Sequence, residues 1–140
     1  MNSEKEMKEI LLSAKTVASV GLSSNPAKES FGIVQYLKDQ GYRIIPVNPG
    51  ATEIMGEKAY PDLSSIQESV DVVQVFRKSE DVPPVVDEAI KIRAKVVWMQ
   101  EGIVNEEAAQ KASDAGLQVV MDACMRATHR HLIGPKLMRI

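Results

Sequence analysis

The sequence predicts an α/β fold with a doubly wound, mainly parallel five-stranded sheet that has helices on both faces. Short apolar segments alternate with helical segments along the 140 residues. The strand centres are continuous apolar runs, such as Val72-Val73 and Val96-Val97-Trp98, which is typical of a parallel sheet covered on both sides. No linker, repeat or low-complexity stretch interrupts this Rossmann-like pattern, so we expect residues 1–140 to form a single domain.

The predicted elements follow one another in a regular order. Strands are predicted at TVASVG (16–21), YRIIPV (42–47), DVVQVF (71–76), KVVWMQ (95–100) and LQVVM (117–121). Helices are predicted at residues 3–14, 30–40, 80–93 and 105–116, with short helices around 64–68 and 128–133. The second apolar run ends in Pro46-Val47-Asn48-Pro49-Gly50, which cannot continue a central strand. The rest of residues 51–69 is expected to be irregular.

Capping signals support these helices. Ser3 and Asn105 are predicted N-caps, because their side-chain oxygens can accept hydrogen bonds from the first helical N–H groups. Pro83-Pro84 lies in a first turn, where a missing N–H matters least. Gly41 and Gly116 end the preceding helices, since glycine readily adopts the left-handed conformation found there.

Composition argues against several classes of protein. The formal net charge is −2 and the basic residues do not cluster, so we expect no nucleic-acid partner. No apolar run approaches the length of a membrane span, and residues 1–14 lack the features of a signal peptide. A single cysteine, Cys124, fits a reducing compartment, and we expect a cytoplasmic protein. No residue set indicates a metal site or an established catalytic motif, so none is predicted.

The loop after the first strand is the most informative candidate site. Ligands of an open parallel sheet bind beyond the carboxyl ends of its strands. In GLSSNPAKES, Gly21 allows a tight turn, Ser23 and Asn25 offer donors, and Lys28 adds a positive charge before a helix. Such a loop suits a phosphate or pyrophosphate. The alternative is an ordinary polar loop in which Ser30 caps the helix.

The loop after the second strand argues against NAD. A typical NAD site has the motif G-x-G-x-x-G and an acidic residue at the end of the second strand, which binds the ribose hydroxyls. Only Gly21 of the three glycines is clearly present, and Val47-Asn48-Pro49 carries no carboxylate. The first loop remains suited to phosphates, but the ribose clamp is absent.

Two further loops, after the third and fourth strands, contribute candidate ligand-binding residues. Phe76 ends the third strand, and Lys78 can reach a phosphate, whereas Arg77 fits a solvated loop better. Trp98 is more typical of a core residue than of a ligand platform. Gly102 allows a ligand to approach the backbone closely.

The segment after the fifth strand raises a chemical alternative. Asp122, Cys124 and His129 could supply an orienting group, a thiol and a base. An inert thiol is favoured, because most free cysteines are buried and a lowered thiol pKa cannot be read from the sequence. We expect His129, Arg130 and His131 to lie at the surface in a polar tail.

These segments together resemble small stand-alone CoA-binding proteins, which are similar to the N-terminal CoA-binding domain of the succinyl-CoA synthetase α subunit. The motifs are VGLSSNPAKES, YLKDQGYRIIPVNPGATEIMGEKAYPDL, VDVVQVFRKSEDVPPVVDEA and VVWMQEGIVNEEAAQKASDAGLQVVMDACM. They extend from about Lys15 to about His131. The resemblance implies a Rossmann-like fold without ATP-grasp or phosphohistidine parts, and binding of coenzyme A with no established reaction.

The resemblance also implies which residues bind coenzyme A. The family's phosphate loop corresponds to Gly21, Ser23, Asn25, Pro26 and Lys28, and the adenosine side corresponds to Val47, Asn48 and Pro49. The edge of the third strand corresponds to Phe76, Arg77 and Lys78. The pantetheine path corresponds to Trp98, Gln100 and Gly102. Cys124 matches a common family cysteine, while Lys28 replaces a common arginine and Thr128 a common glutamate. The absent carboxylate agrees with this ligand, because a carboxylate would repel its 3′-phosphate.

Three functions stay open on the sequence. The first is a cytosolic module that binds coenzyme A or an acyl-CoA without catalysis. The second is an enzyme, either a nucleotide-dependent oxidoreductase or a thiol enzyme in which Cys124 exchanges disulfides with coenzyme A. The third is a regulatory subunit that docks to other proteins. The expected ligand is a small molecule, with no nucleic-acid or membrane partner, and a homodimer is left open.

Overall fold

A computed structural model describes residues 2–136, and their centre is a five-stranded parallel sheet. Its strands are β1 (Thr16–Val20), β2 (Arg43–Val47), β5 (Val72–Val75), β6 (Val96–Met99) and β7 (Gln118–Val120). Two short strands, β3 (Glu53–Ile54) and β4 (Glu57–Lys58), pair separately as an antiparallel hairpin. The predicted Rossmann-like parallel sheet is confirmed.

Helices cover both faces of this sheet. They are α1 (Glu4–Ser13), α2 (Glu29–Asp39), α3 (Val82–Lys91), α4 (Glu106–Asp114) and α5 (Met125–Leu132). Single 3₁₀ turns occupy Leu63–Ser65 and Ser79–Asp81. Across residues 2–136, no helix has both the length and the apolar character needed to cross a membrane.

The order of the strands creates a crevice. The sheet order is β2-β1-β5-β6-β7, so the chain first moves outward from β1 to β2 and then returns to place β5 on the other side of β1. Connections therefore leave the carboxyl ends of β1 and β5 in opposite directions, and a gap opens between them. This switch point is where ligands of open α/β sheets bind. Pro46 is tolerated inside β2 because β2 is an edge strand.

The sheet separates two apolar layers. Neighbouring residues of one strand face opposite sides, so Val73 joins the cluster with α3 and α4 while Val72 joins the cluster with α1, α2 and α5. This two-sided burial explains the continuous apolar runs in the strand sequences. Trp98 lies within the second cluster and is fully buried.

The predicted caps are confirmed, and two helix predictions need correction. Ser3 forms a capping box with Glu6, and Asn105 caps α4. The helix predicted around 64–68 is a single 3₁₀ turn at Leu63–Ser65. The helix predicted at 128–133 begins earlier, at Met125, and Thr128 lies inside it with its hydroxyl donating to the Cys124 carbonyl.

Candidate ligand-binding cleft

A cleft of about 420 Å³ opens at the carboxyl ends of β1, β5 and β6. It lies at the switch point of the sheet, and its volume is typical of small-molecule sites. Its lining consists of Gly21, Ser23, Lys28, Glu29, Ser30, Ile33, Phe76, Gln100, Glu101, Ile103 and Cys124. The structure therefore brings together five predicted site residues, namely Gly21, Ser23, Lys28, Phe76 and Gln100.

Gly21 shapes the floor of the cleft. Its φ of +87° is left-handed, and a Cβ at this position would lie 2.9 Å from the Phe76 carbonyl oxygen. Its N–H donates to the Val47 carbonyl at 3.0 Å, so the turn is also tied to β2. Any side chain here would clash with the end of β5, and this explains the glycine.

The loop after Gly21 is held by short-range hydrogen bonds. The Ser23 hydroxyl accepts from the Asn25 N–H at 3.0 Å, and the Asn25 side-chain oxygen accepts from the Ala27 N–H at 2.9 Å. The Ser30 hydroxyl accepts from the Ser23 N–H at 3.1 Å. Ser30 therefore ties the loop to α2 from within the helix, and the expectation that it caps α2 is wrong.

The start of α2 opens into the cleft. Its N-cap residue is Lys28, whose side chain makes no capping hydrogen bond. Glu29 and Ser30, the first two helical residues, both line the cleft. Backbone N–H groups at a helix start, together with the positive end of the helix dipole, favour an anion. The Lys28 ammonium adds a full positive charge beside them.

The charge of the cleft is mixed. The carboxylates of Glu29 and Glu101 also line it, so its field is not uniformly positive. Arg77 is half-buried and passes beside Gly21, since a Cβ there would lie 3.4 Å from the Arg77 Cδ. Lys78 is exposed and lies outside the cleft lining. Of these two cations after β5, Arg77 is therefore the one placed against the loop.

Asn48 connects the first and second loops. Its side-chain N–H₂ donates to the Leu22 carbonyl at 3.0 Å, and its side-chain oxygen accepts from the Gly50 N–H at 2.8 Å. Val47 is buried and belongs to the core, whereas Pro49 is exposed. The predicted adenosine side thus consists of one bridging residue, one core residue and one surface residue. None of the three lines the cleft.

Four other predicted residues lie outside the cleft lining. Asn25 and Pro26 are exposed at the tip of the first loop. Trp98 has an exposed fraction of 0%, and its indole N–H donates to the Ala123 carbonyl at 2.8 Å. Gly102 has a φ of +82° and open space around it, so its conformation, rather than a close approach, requires glycine. Direct ligand contact by Trp98 is therefore not supported, because its side chain is enclosed by the core.

The proposed thiol, base and orienting group are not assembled. Cys124 lines the cleft, but the Asp122 carboxylate accepts from the Gly102 N–H at 2.7 Å. His129 is 5% exposed, and its Nδ1 lies 2.8 Å from the Tyr36 hydroxyl oxygen. Within residues 2–136, no hydrogen bond joins Asp122, Cys124 and His129 to one another.

The prediction that His129 lies at the surface is wrong. The helix α5 packs against α1 and α2, and His129 faces this interface. Burial lowers the pKa of His129, and the nearby positive charge of Lys136 lowers it further. Burial also raises the pKa of Tyr42 to about 12, so Tyr42 is a neutral donor to the Leu11 carbonyl. Arg130 and His131 are exposed, as predicted.

Six lining residues were not predicted as ligand-binding residues: Glu29, Ser30, Ile33, Glu101, Ile103 and Cys124. Of these, Ser30 was expected only as a helix cap and Cys124 only as a thiol. Glu101 and Ile103 lie in the loop after β6, and this position after a strand could have identified them. Ile33 is an apolar residue of α2 that is buried while reaching the cleft. No group of three or more His, Cys, Asp or Glu residues in the described part of the chain could hold a metal ion.

The strand order and the open start of α2 at the switch point define a Rossmann-like α/β protein with a cleft of the kind used by nucleotide ligands. Residues 15–130 match the CoA binding domain family, and the chain belongs to this family. The predicted family resemblance is confirmed.

Similar proteins are known in bacteria and archaea. The chain is 44% identical over 127 residues to the uncharacterized protein YneT of Bacillus subtilis, which covers 91% of this chain and 94% of YneT. A solved structure of a hypothetical protein from Pyrococcus horikoshii superposes with a TM-score of 0.92 at 38% identity, covering 95% of this chain and 94% of that one. The ADP-forming acetate–CoA ligase II of Archaeoglobus fulgidus is 38% identical over 76 residues, which are 53% of this chain and 11% of the ligase.

Proposed function

We propose that this protein binds coenzyme A, or an acyl-CoA, in the cleft between β1 and β5 and catalyses no reaction of its own. The observation that carries the proposal is the uncapped start of α2, which opens into the cleft in a chain of the CoA binding domain family. Coenzyme A carries a pyrophosphate and a 3′-phosphate, and such groups suit a helix start with an adjacent cation.

The phosphates are assigned to the first loop. The N–H groups of Glu29 and Ser30 and the ammonium of Lys28 supply hydrogen bonds and charge. Arg77 lies close enough to Gly21 to contribute, and we assign Lys78, which is exposed and outside the cleft lining, to the rim. The carboxylates of Glu29 and Glu101 oppose an anion, so the backbone N–H groups must account for much of its binding.

The rest of the ligand is assigned to the two sides of this loop. Adenosine lies toward Asn48 and Pro49, with Val47 supporting the turn from the core. The pantetheine arm runs past Phe76 and Gln100 toward Cys124. Trp98 and Gly102 shape the strand end without touching the ligand, while Asn25 and Pro26 form the outer rim.

The absence of catalysis is argued from the surroundings of Cys124. A thiol enzyme needs a base within hydrogen-bond reach of its thiol. His129 is instead bonded to Tyr36, and Asp122 holds the Gly102 N–H. We therefore assign Cys124 to the cleft wall. A cytoplasmic location fits the proposal, because coenzyme A is used there and Cys124 is a free thiol.

Calorimetric titration with coenzyme A, dephospho-CoA, NAD and ATP tests the proposal. Coenzyme A should bind most tightly of the four. Lys28→Ala should lower the affinity for coenzyme A about tenfold, because a charged hydrogen bond contributes about 1.5 kcal/mol or more. Lys8→Ala is the matched control, since Lys8 is exposed on α1 and lies outside the cleft lining. Binding of NAD in place of coenzyme A, or equal effects of the two substitutions, would contradict the proposal.

A further inference from the structure

A row of buried polar side chains crosses the sheet beneath the cleft. Ser19 on β1 and Gln74 on β5 are each 0% exposed, and Gln100, directly after β6, is 4% exposed. Positions of this kind in a parallel sheet are normally apolar, because burying a polar group is costly unless it is hydrogen-bonded. The three residues meet that condition by bonding to one another from strand to strand.

The direction of these hydrogen bonds is fixed by the backbone of α5. The Met125 N–H can only donate, and its acceptor is the Gln100 side-chain oxygen Oε1 at 3.1 Å. The same oxygen accepts from the Gln74 Nε2 at 3.1 Å. Gln74 therefore turns its own Oε1 toward Ser19, whose hydroxyl donates to it at 2.8 Å. Flipping the Gln100 amide would set two donors against each other at Met125.

This arrangement leaves the Gln100 amide nitrogen for the cleft. Both side-chain hydrogen bonds that Gln100 makes within residues 2–136 use its oxygen, and Nε2 has no partner in that range. No fully buried side-chain nitrogen or oxygen in that range lacks a partner, so Nε2 reaches solvent. Gln100 is a lining residue of the cleft, so the cleft is the solvent that this nitrogen can reach.

We propose that Gln100 is a specificity-determining residue whose Nε2 donates to a carbonyl oxygen of the ligand, and that Ser19 and Gln74 are positioning residues that hold it in this orientation. The inference rests on the proposed function. The pantetheine arm of coenzyme A offers amide carbonyls, and an acyl-CoA adds a thioester carbonyl. A nucleotide without this arm gains no hydrogen bond from this donor, which then stays with water. The cleft wall beside Cys124 thus selects ligands with an acceptor.

A purely structural role for Gln100 must be separated from ligand recognition. Gln100→Glu keeps oxygens for Gln74 and the Met125 N–H, but replaces the donor with an acceptor. Gln100→Met removes the donor without adding charge. Adenosine 3′,5′-bisphosphate is the matched ligand, because it carries phosphates but no pantetheine arm. Repulsion or misfolding would lower the affinity for both ligands, whereas loss of the donor lowers the affinity for coenzyme A alone.

The test is calorimetric titration of each variant with coenzyme A and with adenosine 3′,5′-bisphosphate. We expect both Gln100 variants to lose about tenfold in affinity for coenzyme A and to keep their affinity for the bisphosphate. Ser19→Ala should show a smaller loss with the same ligand preference, because it loosens the orientation of Gln74. Thermal unfolding of each variant confirms that it is folded at the titration temperature.

A measurement on the unsubstituted protein keeps the test independent of folding. The side-chain ¹⁵N–H₂ resonances of Gln100, assigned by their loss in Gln100→Met or from the backbone, should move with coenzyme A and stay in place with the bisphosphate. Unmoved resonances, or equal losses for both ligands, would overturn the inference while leaving coenzyme A binding intact. Failure of the unsubstituted protein to bind coenzyme A would overturn the proposed function and the inference together.

Discussion

A single glycine controls the distance between β1 and the end of β5. Gly21 has a left-handed φ and lies where a Cβ would come within 2.9 Å of a backbone oxygen. A backbone oxygen cannot swing aside as a flexible side chain can. The substitution Gly21→Ala therefore meets both a conformational and a steric cost.

We predict that Gly21→Ala lowers the free energy of unfolding by about 3 kcal/mol, of which about 1–2 kcal/mol is left-handed strain. Gly116→Ala is the matched control: its φ is +92°, but nothing lies within 4 Å of the added Cβ. Gly116→Ala should lower the free energy of unfolding by about 1–2 kcal/mol, the left-handed strain alone. Denaturant unfolding measures the free energy of unfolding of both variants. Equal losses of this free energy would show that contact with Phe76 is unimportant.

At the scale of residues, the sequence predicted loop chemistry better than side-chain orientation. Gly21, Ser23 and Lys28 could be placed because they directly follow a predicted strand. The orientation of Gln100 could not, because it depends on Gln74 and on the Met125 N–H, which are 26 and 25 positions away. The burial of Trp98 was favoured by residue type, and its position in the core agrees.

At the scale of elements, α5 shows how a polar sequence can hide a buried face. The helix carries His129, Arg130 and His131 in succession, and this run suggested a solvated tail. Helical geometry turns His129 inward between α1 and α2, while its two neighbours point to solvent. The buried imidazole is satisfied by Tyr36 from α2. Sequence alone does not show which neighbouring helix will supply such a partner.

We predict that His129 makes stability depend on pH. Its pKa is lowered from 6.5 in the folded protein, so the unfolded chain binds the proton more readily. The free energy of unfolding should therefore be highest above about pH 6.5 and fall as the pH drops toward the folded pKa. His129→Asn should flatten this dependence in chemical unfolding between about pH 8 and pH 5.

His131→Gln provides the control for this prediction. His131 is exposed and lies 3.0 Å from the Glu4 carboxylate, and the sequence contains no third histidine. The variant should retain the pH dependence of the unsubstituted protein. A flattened profile in His131→Gln, or an unchanged one in His129→Asn, would show that the buried imidazole is not the responsible group.

The β3–β4 hairpin shows a second limit of prediction at this scale. Its strands have two residues each, too short for a periodic pattern. Its turn places Met55 and Gly56 at φ of 46° and 80°, and methionine is an uncommon choice for that conformation. Salt bridges from Lys38 and Arg43 to Glu57 hold the hairpin against α2 and β2. These contacts join separate elements of the fold, so the local sequence does not predict them.

At the scale of the whole molecule, strand order decides where a ligand can bind. The alternation of strands and helices predicted a parallel sheet, and the rule that ligands bind at carboxyl strand ends predicted the edge at which the cleft opens. The order β2-β1-β5-β6-β7 itself came only from the structure. It explains why the loops after β1, β5 and β6 share a cleft while Val47-Asn48-Pro49 lies to one side.

The central claim is that coenzyme A occupies this cleft, and chemical-shift mapping of the amide groups tests it most directly. On titration with coenzyme A, we expect the largest ¹⁵N–¹H shifts at Gly21, Ser23, Glu29 and Ser30, with little change along Glu4–Ser13 of α1, which contributes no residue to the cleft lining. Those shifts should require higher ligand concentrations in Lys28→Ala. Shifts concentrated away from the ends of β1 and β5, or none at saturating coenzyme A, would contradict the account.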